Sequence, residues 1–124
     1  MDWIKFNTHG ESCNHAFEVM CNLLFEAWCK KEYGKQLKGK VSFINGAGGD
    51  GGVEAYATLT DGSIVGVQSK WFPDKLEDSQ IRQIGNSFST AIKVRPNLAK
   101  YIVCIPRDLG SKRVVKGGNG KART

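Results

Sequence analysis

Apolar side chains recur at helical spacing between Ser12 and Tyr33: Phe17, Met20, Leu24 and Trp28 form a stripe that Ala16, Leu23 and Ala27 widen. Ser12 or Asn14 suits the start of that helix and Gly34 its end, while Glu11, Glu18 and Glu26 lie off the centre of the stripe. Three short runs of strand character follow, Val41 to Ile44, Val53 to Leu59 and Ser63 to Phe72. A glycine-rich loop precedes the second run, and an Asp61-Gly62 turn joins it to the third as a hairpin. In the third run Val65, Val67 and Trp71 share one face, while Ile64 and Phe72 flank Gln68 and Lys70 on the other. A strand apolar on both faces belongs inside a sheet covered on both sides. A second helix is predicted over Asp78 to Val94, capped by Asp78 and stopped by Pro96, with Ile81, Ile84, Phe88, Ala91 and Ile92 as its buried stripe. Tyr101 to Ile105 reads as a last buried strand closed by Pro106. The pattern predicts an α/β domain in the order helix, three strands, helix, strand.

Past Gly110 the periodicity disappears into glycine and basic residues, so residues 1–109 read as one domain and 110–124 as a linker or tail. A chain of 124 residues with 40% hydrophobic and 10% aromatic content is that of a single globular domain rather than a disordered segment. The net charge of +6 is concentrated at the C-terminus. There Arg107, Lys112, Arg113, Lys116, Lys121 and Arg123 face one acid, Asp108, and the preceding residues are nearly neutral. Such a segment suits a phosphate-binding arm or a solvated linker, and charge alone does not choose. No run approaches the roughly 20 apolar residues of a membrane span, and the N-terminus lacks a secretory pattern, so a cytoplasmic location is expected.

Cys13, Cys21 and Cys29 fall eight residues apart on the first helix and Cys104 in the last strand, with no CxxC pair. His9 and His15 flank Cys13 without a structural zinc spacing, so reduced, mostly buried thiols are expected. The Gly46 to Gly52 loop lacks the Gly-Lys-Ser/Thr ending of a phosphate-binding loop and leads into a strand. Its glycines suit positive backbone torsions and a close approach beside Glu54.

The candidate chemistry lies between Gly46 and Trp71. Glu54 opens one strand, Gln68 and Lys70 point together from the next, and the hairpin brings the three towards one another. A carboxylate and an amide oxygen suit Mg²⁺, and a nearby ammonium could orient water and offset charge on a phosphate. A cross-strand Glu54–Lys70 ion pair fits the same spacing, and spacing leaves both open.

The stretch GGDGGVEAY, followed fourteen residues after Glu54 by Gln68-Ser69-Lys70, resembles the PD-(D/E)xK nuclease superfamily, closest to its Mrr-like branch, where glutamine often takes the second acidic position. Ala16 to Phe25, Gly48 to Phe72, Ser79 to Ile92 and Tyr101 to Leu109 are similar to the N-terminal nuclease domains of bacterial antiviral STAND NTPases, the Avs group. The resemblance implies a restriction-endonuclease-like αβββαβ core, a mixed four-stranded sheet flanked by helices. It implies Glu54 as the principal metal-binding acid, Gln68 as second ligand, Lys70 as catalytic lysine, Glu18 as a supporting helix glutamate and Asp50 as an auxiliary acid. It further implies Mg²⁺, with Mn²⁺ able to substitute, and double-stranded DNA as substrate. The setting it implies is the bacterial cytoplasm, with self-association through the NTPase of a larger defence protein. A nuclease-like module that binds nucleic acid or assembles without cutting is the alternative, and RNA remains open as substrate.

Overall fold

The computed structural model of the chain describes residues 12–44 and 51–106. Helix α1 covers Cys13–Tyr33. Of its two candidate caps Ser12 takes the position, its hydroxyl accepting the His15 amide at 3.1 Å, and Gly34 ends the helix at φ 52°. A 3₁₀ turn (Gly34–Gln36) leads to β1 (Ser42–Phe43), β2 (Ala55–Thr58) and β3 (Ile64–Ser69). Helix α2 (Asp78–Val94) and strand β4 (Leu98–Cys104) complete the order that the hydrophobic pattern predicts.

Several boundaries and caps differ from expectation for local reasons. Strand β1 holds two residues rather than the four from Val41 to Ile44. Strand β3 ends at Ser69, because the Phe72 amide folds back to the Lys70 carbonyl at 3.0 Å and turns the chain out of the ladder. Trp71 is therefore half-buried beyond the strand, its ring 5.4 Å from that of Phe17. Strand β4 starts at Leu98 and stops at Cys104, earlier than the predicted Tyr101 to Ile105. The cap of α2 is Glu77, not Asp78: its side chain accepts the Gln80 amide while the Gln80 side-chain oxygen accepts the Glu77 amide at 2.9 Å. That reciprocal pair satisfies two end donors at once, which Asp78 alone does not.

The sheet runs β1-β2-β3-β4, antiparallel between the first three strands and parallel between β3 and β4, with α2 as the crossover. At the hairpin tip the Asp61 carboxylate accepts the Ser63 amide at 2.9 Å and the Ser63 hydroxyl at 2.6 Å. Gly62 sits there at φ 89°. The turn fixes the register Ala55↔Val67 and so places Glu54 next to the Gln68 level of the neighbouring strand.

Helix α1 covers one face of the sheet, where Phe25 and Cys29 pack with Val41, Ala55, Ala57, Val65 and Val67. Its buried line is Phe17, Cys21, Phe25 and Cys29, whereas Leu23 and Leu24 are 58% and 61% exposed. The helix is apolar around much of its circumference, so two stripes fit the sequence. The sheet selects the one whose Phe25 and Cys29 join the small Ala55 and Ala57 in the core. Helix α2 covers the opposite face through Ala91, and Phe88 meets Tyr101 with ring centroids 5.4 Å apart. Ile81, Phe88 and Ile92 of the predicted stripe are largely exposed. The helix approaches through its Ser87–Ala91 side, where the Gly52 backbone leaves no room for a larger residue. Among the described residues no helix is long and apolar enough to cross a membrane.

Candidate active site

The chain enters the site through Gly51 and Gly52, at φ 64° and 80°. The Tyr101 hydroxyl donates to the Gly52 carbonyl at 2.8 Å, and burial pushes that phenol up to about 12. Val53 then lies fully buried against Gly66. The Glu54 backbone is held from both neighbours: its amide donates to the Val67 carbonyl and its carbonyl accepts the Ile44 amide, each at 2.8 Å. These contacts fix where the carboxylate starts.

That carboxylate is buried, with 4% of the residue exposed. Ser69 Oγ donates to Glu54 Oε1 at 2.6 Å, and the Ser69 backbone amide adds a second hydrogen bond. Burial pushes the Glu54 carboxyl up to about 7; the Ser69 hydroxyl opposes the rise, the Glu18 charge adds to it, and Lys70 acts weakly against it. The direct partner of Glu54 is thus the Ser69 hydroxyl, with Lys70 acting as a charge through space. Spacing does not single out Ser69. Alternation sets it on the Val65 and Val67 face, opposite Gln68, and the shared site exists because β3 ends there.

Gln68 is 3% exposed, and its Oε1 is buried without a hydrogen-bond partner. An unpaired buried amide oxygen costs about 1–3 kcal/mol, so it suits a site that supplies a cation or a donor. A cavity of about 290 Å³ is lined by Glu18, Glu54, Gln68, Ser69 and Lys70, with Asn14 and Gln83 contributed by the two helices. Four of the five residues expected at the site therefore meet in one cavity. Asp50, like Glu11, lies outside the described residues. Neither Asn14, a candidate cap by its position, nor Gln83 carries a site signal in the sequence, both being ordinary polar residues on the two helices.

Among the described residues no group of three or more His, Cys, Asp or Glu side chains converges. The donor set is two carboxylates and an amide oxygen, hard oxygen atoms that fit Mg²⁺ or Mn²⁺ better than zinc. The unpartnered Gln68 oxygen is the observation that makes this fit more than compositional.

Comparison with known proteins supplies no further constraint. No protein-family model matches the chain, no curated protein matches it, and no solved structure matches its fold. The chemistry of the cavity and the order of elements carry the functional reading.

Proposed function

We propose that this chain is a metal-dependent endonuclease domain of restriction-endonuclease-like fold that hydrolyses DNA phosphodiester bonds. In this reading it is the effector of a larger antiphage defence NTPase and clusters through the rest of that protein. The observation that carries the catalytic part is the buried, unpartnered Gln68 Oε1 in one cavity with the Glu54 carboxylate and Lys70. The larger setting rests on the resemblance of the sequence motifs to defence nucleases.

Glu54 and Gln68 are the residues that would hold Mg²⁺, or Mn²⁺ in its place, with Glu18 on the α1 wall and Asp50 as a further acid. When bound, the ion supplies Lewis-acid stabilisation of charge on the phosphate. Lys70, half-buried at the cavity wall, offsets phosphate charge and orients water. Ser69 fixes one Glu54 oxygen through its hydroxyl, which sets the carboxylate's orientation.

A second reading is a DNA-binding or assembly module of the same fold without catalysis. It is favoured by the motif itself, which pairs a single strong acid, Glu54, with a glutamine at the second ligand position. Plasmid cleavage separates the two. With Mg²⁺ or Mn²⁺, and with the protein free or clustered through a fused oligomerisation tag, supercoiled DNA is expected to be cut. Glu54→Ala and Lys70→Ala are expected to lower the rate by on the order of 10²-fold or more. Variants that cut like the parent remove this site from the reaction. A parent that binds DNA yet never cuts, even when clustered, establishes the binding module, and an RNA arm tests the other nucleic acid.

A further inference from the structure

A second cavity, of about 390 Å³, opens between α1 and β4 and is lined by Cys21, Leu24, Phe25, Trp28, Val67, Ile102 and Cys104. The Cys21 and Cys104 thiols meet there as hydrogen-bond partners, one from the buried line of the helix and one from the edge strand. Cys21 follows Glu18 by one helical turn. Cys104 is the register partner of Ser69, and its carbonyl accepts the Lys70 amide at 2.9 Å. The thiol pair therefore lies one helical turn from Glu18 and beside the end of β3 that carries Ser69.

We propose that Cys21 and Cys104 are a redox modification site, forming a reversible intramolecular disulfide in response to a small hydroperoxide and clamping α1 to β4. Cys104 is the half-buried member and Cys21 the buried one, so the oxidant meets Cys104 first through the cavity. The Cys104 sulfur attacks one peroxide oxygen; the S–O bond forms, the O–O bond breaks, and the leaving hydroxide takes the Cys104 proton and departs as water. The Cys21 sulfur then attacks the resulting sulfenic acid. The S–S bond forms, the S–O bond breaks, and a second water leaves with the Cys21 proton. Two thiols and one hydrogen peroxide thus become one disulfide and two waters, the thiols losing two electrons to the peroxide.

Hydrogen-bonded thiols stand farther apart than the roughly 2.05 Å of an S–S bond. Closure therefore requires the two sulfurs to approach, one helical turn along α1 from Glu18. The inference stands apart from the nuclease reading, because the disulfide can be read directly.

The full chain is treated with hydrogen peroxide, and its remaining thiols are counted before non-reducing peptide mass spectrometry. Cleavage after glutamate separates the three helix cysteines, because Glu18 and Glu26 lie between them. The expected result is loss of two of the four thiols, a cross-linked peptide pair containing Cys21 and Cys104, and return of both thiols with dithiothreitol. Cys13→Ser is expected to form the same bridge. Oxidation that yields sulfinic acid, intermolecular cross-links or another pairing overturns the proposal. So does survival of all four thiols under a dose that oxidises free cysteine. These readouts need only the parent chain, so they stand even where a Cys104→Ser variant fails to fold.

Discussion

The Ser69 hydroxyl lies 2.6 Å from Glu54 Oε1, and both residues are buried, so each depends on the other for satisfaction. Ser69→Ala deprives the carboxylate of its nearest donor without opening a large cavity. It should cost about 1–3 kcal/mol of stability, read by urea denaturation. Mn²⁺ affinity should fall by roughly 10-fold or more, read by calorimetric titration, and Ser69→Thr should recover much of both. Unchanged stability and unchanged Mn²⁺ affinity in Ser69→Ala would remove the positioning role. The sequence made Glu54, Gln68 and Lys70 legible because hairpin spacing and alternation bring them together. It did not make Ser69 legible, because a serine in a strand is ordinary and only the geometry at the end of β3 turns it onto the acid. Nor does spacing reveal that the Gln68 oxygen is left without a partner, which depends on how tightly the surrounding chain closes over it.

Helix α2 shows what a periodic pattern reveals and what it leaves out. Its predicted limits, Asp78 to Val94, coincide with the observed ones, since the stripe and the Pro96 stop are local properties. Its predicted stripe contains the buried Ala91 and the Phe88 that meets Tyr101, yet Ile81, Phe88 and Ile92 stay exposed, because the depth of burial is set by the partner and not by the helix. The partner here is the backbone of Gly52, where an added Cβ meets the Ser87 carbonyl oxygen at 2.3 Å and the Ala91 nitrogen at 2.9 Å. Gly52→Ala therefore combines a strained φ of 80° with a clash against helix backbone. It should destabilise by about 2–4 kcal/mol. Gly62→Ala, at φ 89° with nothing within 4 Å, carries the torsional penalty alone and should cost about 1 kcal/mol. Thermal melts of the two variants check the difference, and equal losses would show that the helix yields at Gly52. Helix α1 was legible in its extent but not in its line of burial, which the small residues of β2 decide.

Across the molecule as a whole, the Glu54 carboxyl links folding to pH. Burial raises it from 4.5 to about 7 in the metal-free fold, so the folded state holds that proton more tightly than the unfolded chain. Its contribution to stability is complete below pH 4.5, declines as the pH rises, and is absent above about pH 7. In EDTA the melting temperature of the parent should fall relative to that of Glu54→Gln over this interval. Added Mn²⁺ should restore more stability at the alkaline end, where the carboxylate is already ionised. Parallel melting profiles for parent and variant would exclude the linkage. The α/β order is what the hydrophobic pattern makes legible, and the mixed sheet is what the resemblance implies; which surfaces stay open is not legible, because it depends on packing between distant segments. The Asp61–Gly62 hairpin also has a kinetic meaning. Strands β2 and β3 pair across a short loop, whereas β4 must wait for the long excursion through α2. Short loops close first, hairpins forming within roughly 1–10 μs. Glu54 and Gln68 thus meet early along the folding route, while the α1 wall and its glutamate arrive with later docking.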